Sequence, residues 1–220
     1  MSVSLPAKLR LPDFTIAIPA NWYALDLNPR TRAATIAALV EQRFGRDSSP
    51  MVRQVRRELT EMLRRYAHQA ASHGAIYAAL MDQVVEGMAI SASLVIAVGD
   101  APRDRTGAPV LDPVALGQAL IDSEQVGTDA GQPPDPDTVP TLAGAAVRLR
   151  RTTGSGFAGR DRQSVATAES QYFLPVPGTD KVLAMTFATP NLPVRAMLDE
   201  VFDAIARTLD WVWDSERARV

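Results

Sequence analysis

Apolar residues alternate singly in some stretches of the chain and recur every three to four residues in others. The clearest switch between the two periods lies between Gln171 and Val212. Gln171–Pro175 and Lys181–Phe187 read as two strands joined by a Pro177-Gly178-Thr179-Asp180 turn. In the second strand Val182, Ala184 and Thr186 share one face, and Leu183, Met185 and Phe187 the other. From Val194 the spacing is helical: Val194, Met197, Leu198, Val201, Phe202, Ile205, Leu209 and Val212 form one stripe, with charged residues between them. A helix of that kind is predicted to fold across the sheet to which its hairpin belongs.

The earlier part of the chain supplies the remaining elements. Phe14, Ile16 and Ile18 share a face of a first strand that Pro19 ends, and Trp22 is expected to plug the core edge. Asn28 reads as an N-cap, with Pro29 at the first position of a helix carrying Ile36, Val40 and Phe44 and stopping at Gly45. Ser48-Ser49-Pro50 opens a second helix, whose Met51, Val55, Leu59, Met62, Leu63, Tyr66 and Ala70 keep helical spacing as far as His73-Gly74. The pair predicts a helical hairpin. Ala75–Asp82 reads as a strand, with helix as a rival, and Gln83–Met88 as a turn. Ala89–Val98 is a strand with Ile90, Leu94 and Ile96 on one face, and Asp112-Pro113 caps a short helix. Residues 126–140, rich in proline and glycine, predict an exposed loop. Leu142–Thr152, with Val147 and Leu149 opposite Arg148 and Arg150, and Ser164–Pro175 are strands around a glycine-rich turn. The expected fold is one α+β domain over residues 1–220. It has an antiparallel sheet of about six strands covered by helices, an inserted N-terminal helical hairpin and a C-terminal amphipathic helix.

Composition narrows the function classes. Lysine plus arginine is 23 against 25 aspartate plus glutamate, a net charge of −2, so nothing drives the whole chain toward nucleic acid or an anionic membrane. Cysteine is absent, which removes disulfides, thiolate metal sites and a cysteine nucleophile, and fits a reducing cytoplasm. Met1–Pro12 has no apolar run of signal-peptide length, and Ala89–Val98 is too short to span a bilayer as a helix.

The candidate chemistry is sparse. His68 and His73, the two histidines, are five residues apart, about 140° around a helix, where a helical metal pair needs a spacing of four. His73 reads instead as a favourable group at a helix C-terminus. Gly154, Gly156 and Gly159 match a phosphate-loop spacing, but the strand-like residues that follow point to a hairpin loop. No nucleophile elbow is present, so neither a catalytic residue nor a metal or cofactor is assigned. The strongest local feature is the cluster Arg53, Arg56, Arg57, Arg64 and Arg65, interleaved with Glu58 and Glu61. Arg53, Arg57 and Arg64 share a face that suits an acidic protein surface, or else a solvated face with Arg57–Glu61 and Glu61–Arg65 pairs.

The stretches Phe14–Trp22 and Gln171–Trp213, about a quarter of the chain, resemble the PsbP-like superfamily, whose fold is shared with the Mog family. The shared features are a Phe-x-Ile-x-Ile-Pro-x-x-Trp segment at one end, and a hairpin, a Thr-Pro-Asn-Leu-Pro corner and a closing helix at the other. The helical segment Thr31–His73 departs from small members of that group. The resemblance implies a protein that binds other macromolecules, with no functional residue to carry over. The expectation is therefore a non-enzymatic cytoplasmic protein-binding module, an adaptor or chaperone-like partner of a secretion or assembly system. It would use Arg53, Arg57 and Arg64 toward another, acidic protein, with no nucleic acid and no membrane span. The alternative is a cup for a small molecule or lipid between sheet and helices, lined by Trp22, Tyr172 and Phe187. A homodimer contact is expected near Trp211 and Trp213, which fall on different faces of the last helix.

Overall fold

Side-chain alternation along the central strands gives the sheet two different faces, and each face recruits its own helices. The computed structural model describes residues 12–45, 49–122, 136–156 and 165–212. The elements run β1 (Asp13–Thr15), β2 (Trp22–Ala24), α1 (Arg32–Phe44), α2 (Pro50–Ser72), β3 (Ala75–Val85), β4 (Met88–Asp100) and α3 (Pro113–Asp122). They continue β5 (Asp137–Thr141), β6 (Gly144–Gly156), β7 (Val165–Pro175), β8 (Lys181–Thr189), a 3-10 turn (Leu192–Val194), α4 (Arg195–Arg207) and β9 (Asp210–Val212). Seven strands form one antiparallel sheet in the order β2-β3-β4-β8-β7-β6-β5, and β1 pairs with β9 as a separate ribbon. The fold is α+β, with helices on both faces of a large antiparallel sheet.

One face carries the large side chains. Leu94 and Ile96 of β4, Met185 and Phe187 of β8 and Tyr172 of β7 are fully buried there against Leu198, Phe202 and Ile205 of α4. Phe202 stacks on Phe187 with ring centroids 4.7 Å apart, and Trp22 meets both rings edge-on. The opposite face mixes aliphatic residues with small ones, Ala78, Ser91, Ser93 and Ala188. The α1–α2 hairpin packs there on Ala78, Leu80 and Val95, and α3 on Val147, Leu149 and Val182.

Several element boundaries differ from the sequence reading. The main sheet has seven strands, and the described residues hold nine in all, where about six were expected. Ala75–Val85 is strand throughout, and the expected turn at 83–88 shrinks to Glu86-Gly87, both at positive φ (50° and 81°), the geometry of a two-residue hairpin turn. Asn28 caps a turn, accepting from the Arg30 amide, and the helix begins three residues later behind Thr31. The second helix does start behind Ser49, whose hydroxyl accepts from the Val52 amide at 3.3 Å. Of the loop expected at 126–140, Asp137–Pro140 belongs to β5 and pairs with β6, while 126–135 lies outside the described residues. Pro140 is compatible with that strand because β5 is the sheet edge. β6 runs on to Gly156, past the expected turn start; the rest of that turn, from 157, lies outside the described residues. The last helix stops at Arg207 and does not continue to Val212. The carbonyls of Arg207 and Leu209 accept the amides of Leu142 and Ala143, and Asp210–Val212 pairs with β1.

Between α4 and β5–β7 the sheet presents a charged cluster instead of hydrocarbon. Arg148 is forked onto the Asp137 carboxylate and reaches Asp203, which accepts from the Tyr172 hydroxyl at 2.6 Å. Four residues earlier on α4, Asp199 accepts from buried Ser170 at 2.5 Å and faces Arg150 and Arg195. Burial and the bond to Asp203 push the Tyr172 hydroxyl far above its usual range, and the aspartates raise Arg148 further. Burial alone pushes Asp137 up, but Arg148 and Arg150 outweigh it and hold the carboxyl below its ordinary value.

Two stability outcomes follow. Phe202→Ala should cost about 3–5 kcal/mol in chemical denaturation, since the stacked ring leaves a cavity under Trp22 and Phe187. Because Asp137 is depressed in the folded state, its contribution is full above the ordinary aspartate value of about 3.9 and falls away as pH drops through the lower folded value. Melting curves of Asp137→Asn against the parent chain should therefore differ at pH 6 and converge on the acid side.

Candidate functional site

Where large residues fill one face, the other leaves a gap. Leu59, Met62, Leu63 and Tyr66 recur at three- and four-residue spacing on α2 and roof an apolar cleft of about 290 Å³. Leu39 and Arg43 of α1 close one side. The floor is the small face of the sheet: Tyr23 of β2, Leu80 and Asp82 of β3, Ser91 and Ser93 of β4 and Ala188 of β8. Registers place Tyr23 opposite Leu80, Leu80 opposite Ser93, and Ser93 opposite Ala188, so these side chains share one face across four strands. Serine and alanine are too small to fill the space below α2, which is why the cleft exists at all.

Polar groups occupy its two ends. At the exposed rim, Arg43 Nη2 lies 2.8 Å from Asp82 Oδ2, and Arg43 Nη1 donates to the Asp82 carbonyl. At the inner end, burial pushes the Tyr66 hydroxyl up to about 12, opposed by its hydrogen bond with Ser93. Tyr66 is therefore a neutral hydrogen-bonding group at any physiological pH. The floor's own backbone is already engaged. β4 is paired on both sides, and beyond the end of β8 the Asn191 and Thr189 side chains take over. Asn191 Oδ1 accepts from the Ser91 amide at 2.9 Å, and Thr189 Oγ1 donates to the Ser91 carbonyl at 2.7 Å.

The three residues expected to line a cup, Trp22, Tyr172 and Phe187, are elsewhere. They lie on the opposite face, 6%, 0% and 0% exposed, in the aromatic core under α4. Alternation explains the displacement: Trp22 and Tyr23 are neighbours in β2, so one enters the core and the other the cleft. Arg53, Arg57 and Arg64 are all exposed on α2. Arg57 and Arg64 border a shallow groove that also holds Arg56, Glu41 and Glu61, and Arg57 donates to Gln54 at 2.7 Å. His68 is exposed, and His73 follows α2 with Nδ1 2.8 Å from the Gln69 carbonyl. Among the described residues no group of three or more His, Cys, Asp or Glu is placed to hold a metal ion. Trp211 is 7% exposed in β9, while Trp213 lies outside the described residues.

Sequence reasoning missed the cleft-lining Ser91, Ser93, Arg43 and Asp82. A signal was available for the serines, which alternate with the large Ile90–Ile96 stripe and mark the reverse face as thin. Nothing local links Arg43 to Asp82, which meet only when α1 lies over β3.

No protein-family profile matches the sequence, and no curated protein matches it. Among the described residues no helix is long and apolar enough to cross a membrane. One solved structure with a related course is LpqN of Mycobacterium tuberculosis, described as involved in cell envelope biogenesis. It matches at 10% identity and a TM-score of 0.45, over 94% of this chain and 88% of that one, a likeness too slight to carry a functional argument.

Proposed function

We propose that this chain is a binding domain that holds a small apolar molecule in the cleft beneath the helical hairpin. The observation behind this reading is the open, mostly apolar recess of about 290 Å³ beneath the hairpin. Its size sits near the lower bound of ligand pockets, about 300 Å³, and its lining has their usual character of hydrocarbon with a few placed polar groups. Binding is preferred to catalysis because the charged groups at the rim, Arg43 and Asp82, already engage each other. An adaptor using Arg53, Arg57 and Arg64 has weaker support, since the groove bordered by Arg57 and Arg64 sets two glutamates against three arginines, Arg56 included, and so offers an acidic partner a net attraction of a single charge. The cysteine-free composition suits a reducing compartment, and the cytoplasm belongs to this reading as its setting.

Titration with Nile red, a neutral apolar dye, tests the site. Met62, 37% exposed, lines the roof, so Met62→Glu should weaken dye binding at least tenfold without lowering the melting temperature. Arg53→Glu should leave it unchanged. Equal binding by Met62→Glu and the parent chain would remove the cleft as the site.

A further inference from the structure

We infer that the occupant of the cleft is an uncharged single-chain amphiphile, with its hydrocarbon chain inside and a hydroxyl-bearing head at the rim. This rests on the reading of the cleft as a binding site. Three observations select the ligand class.

The first concerns backbone hydrogen bonds. A peptide entering the cleft would bring amide N–H and C=O groups that need partners once they leave water. Beneath α2 the floor offers few: β4 is paired on both sides, Asn191 and Thr189 satisfy Ser91 where β8 ends, and Arg43 takes the Asp82 carbonyl just past the end of β2. The roof is a helix whose backbone is bonded within itself. Hydrocarbon makes no such demand.

The second is the shape of the apolar surface. Beyond Asp82 and Ser91 the same sheet face continues to Val84, 71% exposed, and its register partner Ala89. On α2 the stripe that roofs the cleft continues to Val55, 39% exposed, and Met51, 78% exposed. From Ser93 to Ala89 the floor spans about 13 Å at ~3.3 Å per residue. The apolar path is therefore elongated and open at one end, as an extended alkyl chain requires.

The third is charge. Arg43 and Asp82 stand at the rim as a neutral pair. A carboxylate or an ammonium head would meet one attracting and one repelling partner, and so would gain little for the water it gives up. A hydroxyl donates to one and accepts from the other without adding a charge.

The test is displacement of Nile red from the full chain at pH 8 by alkyl alcohols of increasing length, and by decanoic acid and decylamine. Affinity should rise about fourfold per added methylene and then stop rising once the cleft is full. Decanol should bind about tenfold more tightly than either charged analogue. Asp82→Asn should reverse the order in favour of the acid, and Arg43→Gln in favour of the amine. Both positions are partly exposed, so these variants should fold. A parent chain that prefers the acid or the amine, or variants that leave the order unchanged, would overturn the head-group assignment. Nile red bound in a Met62-sensitive way but not displaced by any alcohol, or displaced better by an apolar peptide, would overturn the ligand class and leave the cleft standing. Failure of the dye and every alkyl compound to bind would overturn both.

Discussion

Inequality between the two faces of strands β4 and β8 is the constraint on which the rest of the structure depends. Each strand alternates large and small side chains: Leu94 and Ile96 against Ser93 and Val95, Met185 and Phe187 against Ala184 and Thr186. Under α4 the large face is filled by aromatic rings, with Phe202 stacked on Phe187 and Tyr172 edge-on at 5.6 Å. Burial of that face is the dominant stabilising term. On the small face α3 closes over Val147, Leu149 and Val182 and α2 over Ala78, but around Ser91, Ser93 and Ala188 the hairpin bridges the sheet and leaves a cleft. Stability and the candidate site are thus assigned to opposite sides of one sheet.

The charged cluster at the α4 interface works within the same constraint. Arg148 and Arg150 lie on the large face of β6, where α4 descends, so their charges need partners on that helix. Asp199 and Asp203, one turn apart, supply them, and Tyr172 and Ser170 use further carboxylate oxygens. Such a cluster adds little net stability compared with hydrocarbon, but it penalises any other placement of α4. The Thr189–Asn191 corner has a comparable role at the other end of the helix. Its side chains extend the hydrogen bonding of β4 past the end of β8, which fixes the point from which α4 starts.

The sequence by itself determined what depends on near neighbours. Period-two alternation located the core strands, helical spacing located α2 and α4, and Ser49-Pro50 and Asp112-Pro113 marked two helix starts through local hydrogen bonds. It also determined which residues share a face, and with that the α+β class. Tertiary structure alone decided where α4 ends, because amides of Leu142 and Ala143, remote in sequence, take the carbonyls of Arg207 and Leu209. It alone decided that Asp137–Thr141 is a strand, since those residues gain their hydrogen bonds from β6. The candidate site belongs to the same class. Alternation shows that Trp22 and Tyr23 part company, but not which of them enters the core, and a cleft is a volume left over between elements. That volume is set by how closely α2 approaches Ser91, Ser93 and Ala188, a distance that no local pattern encodes.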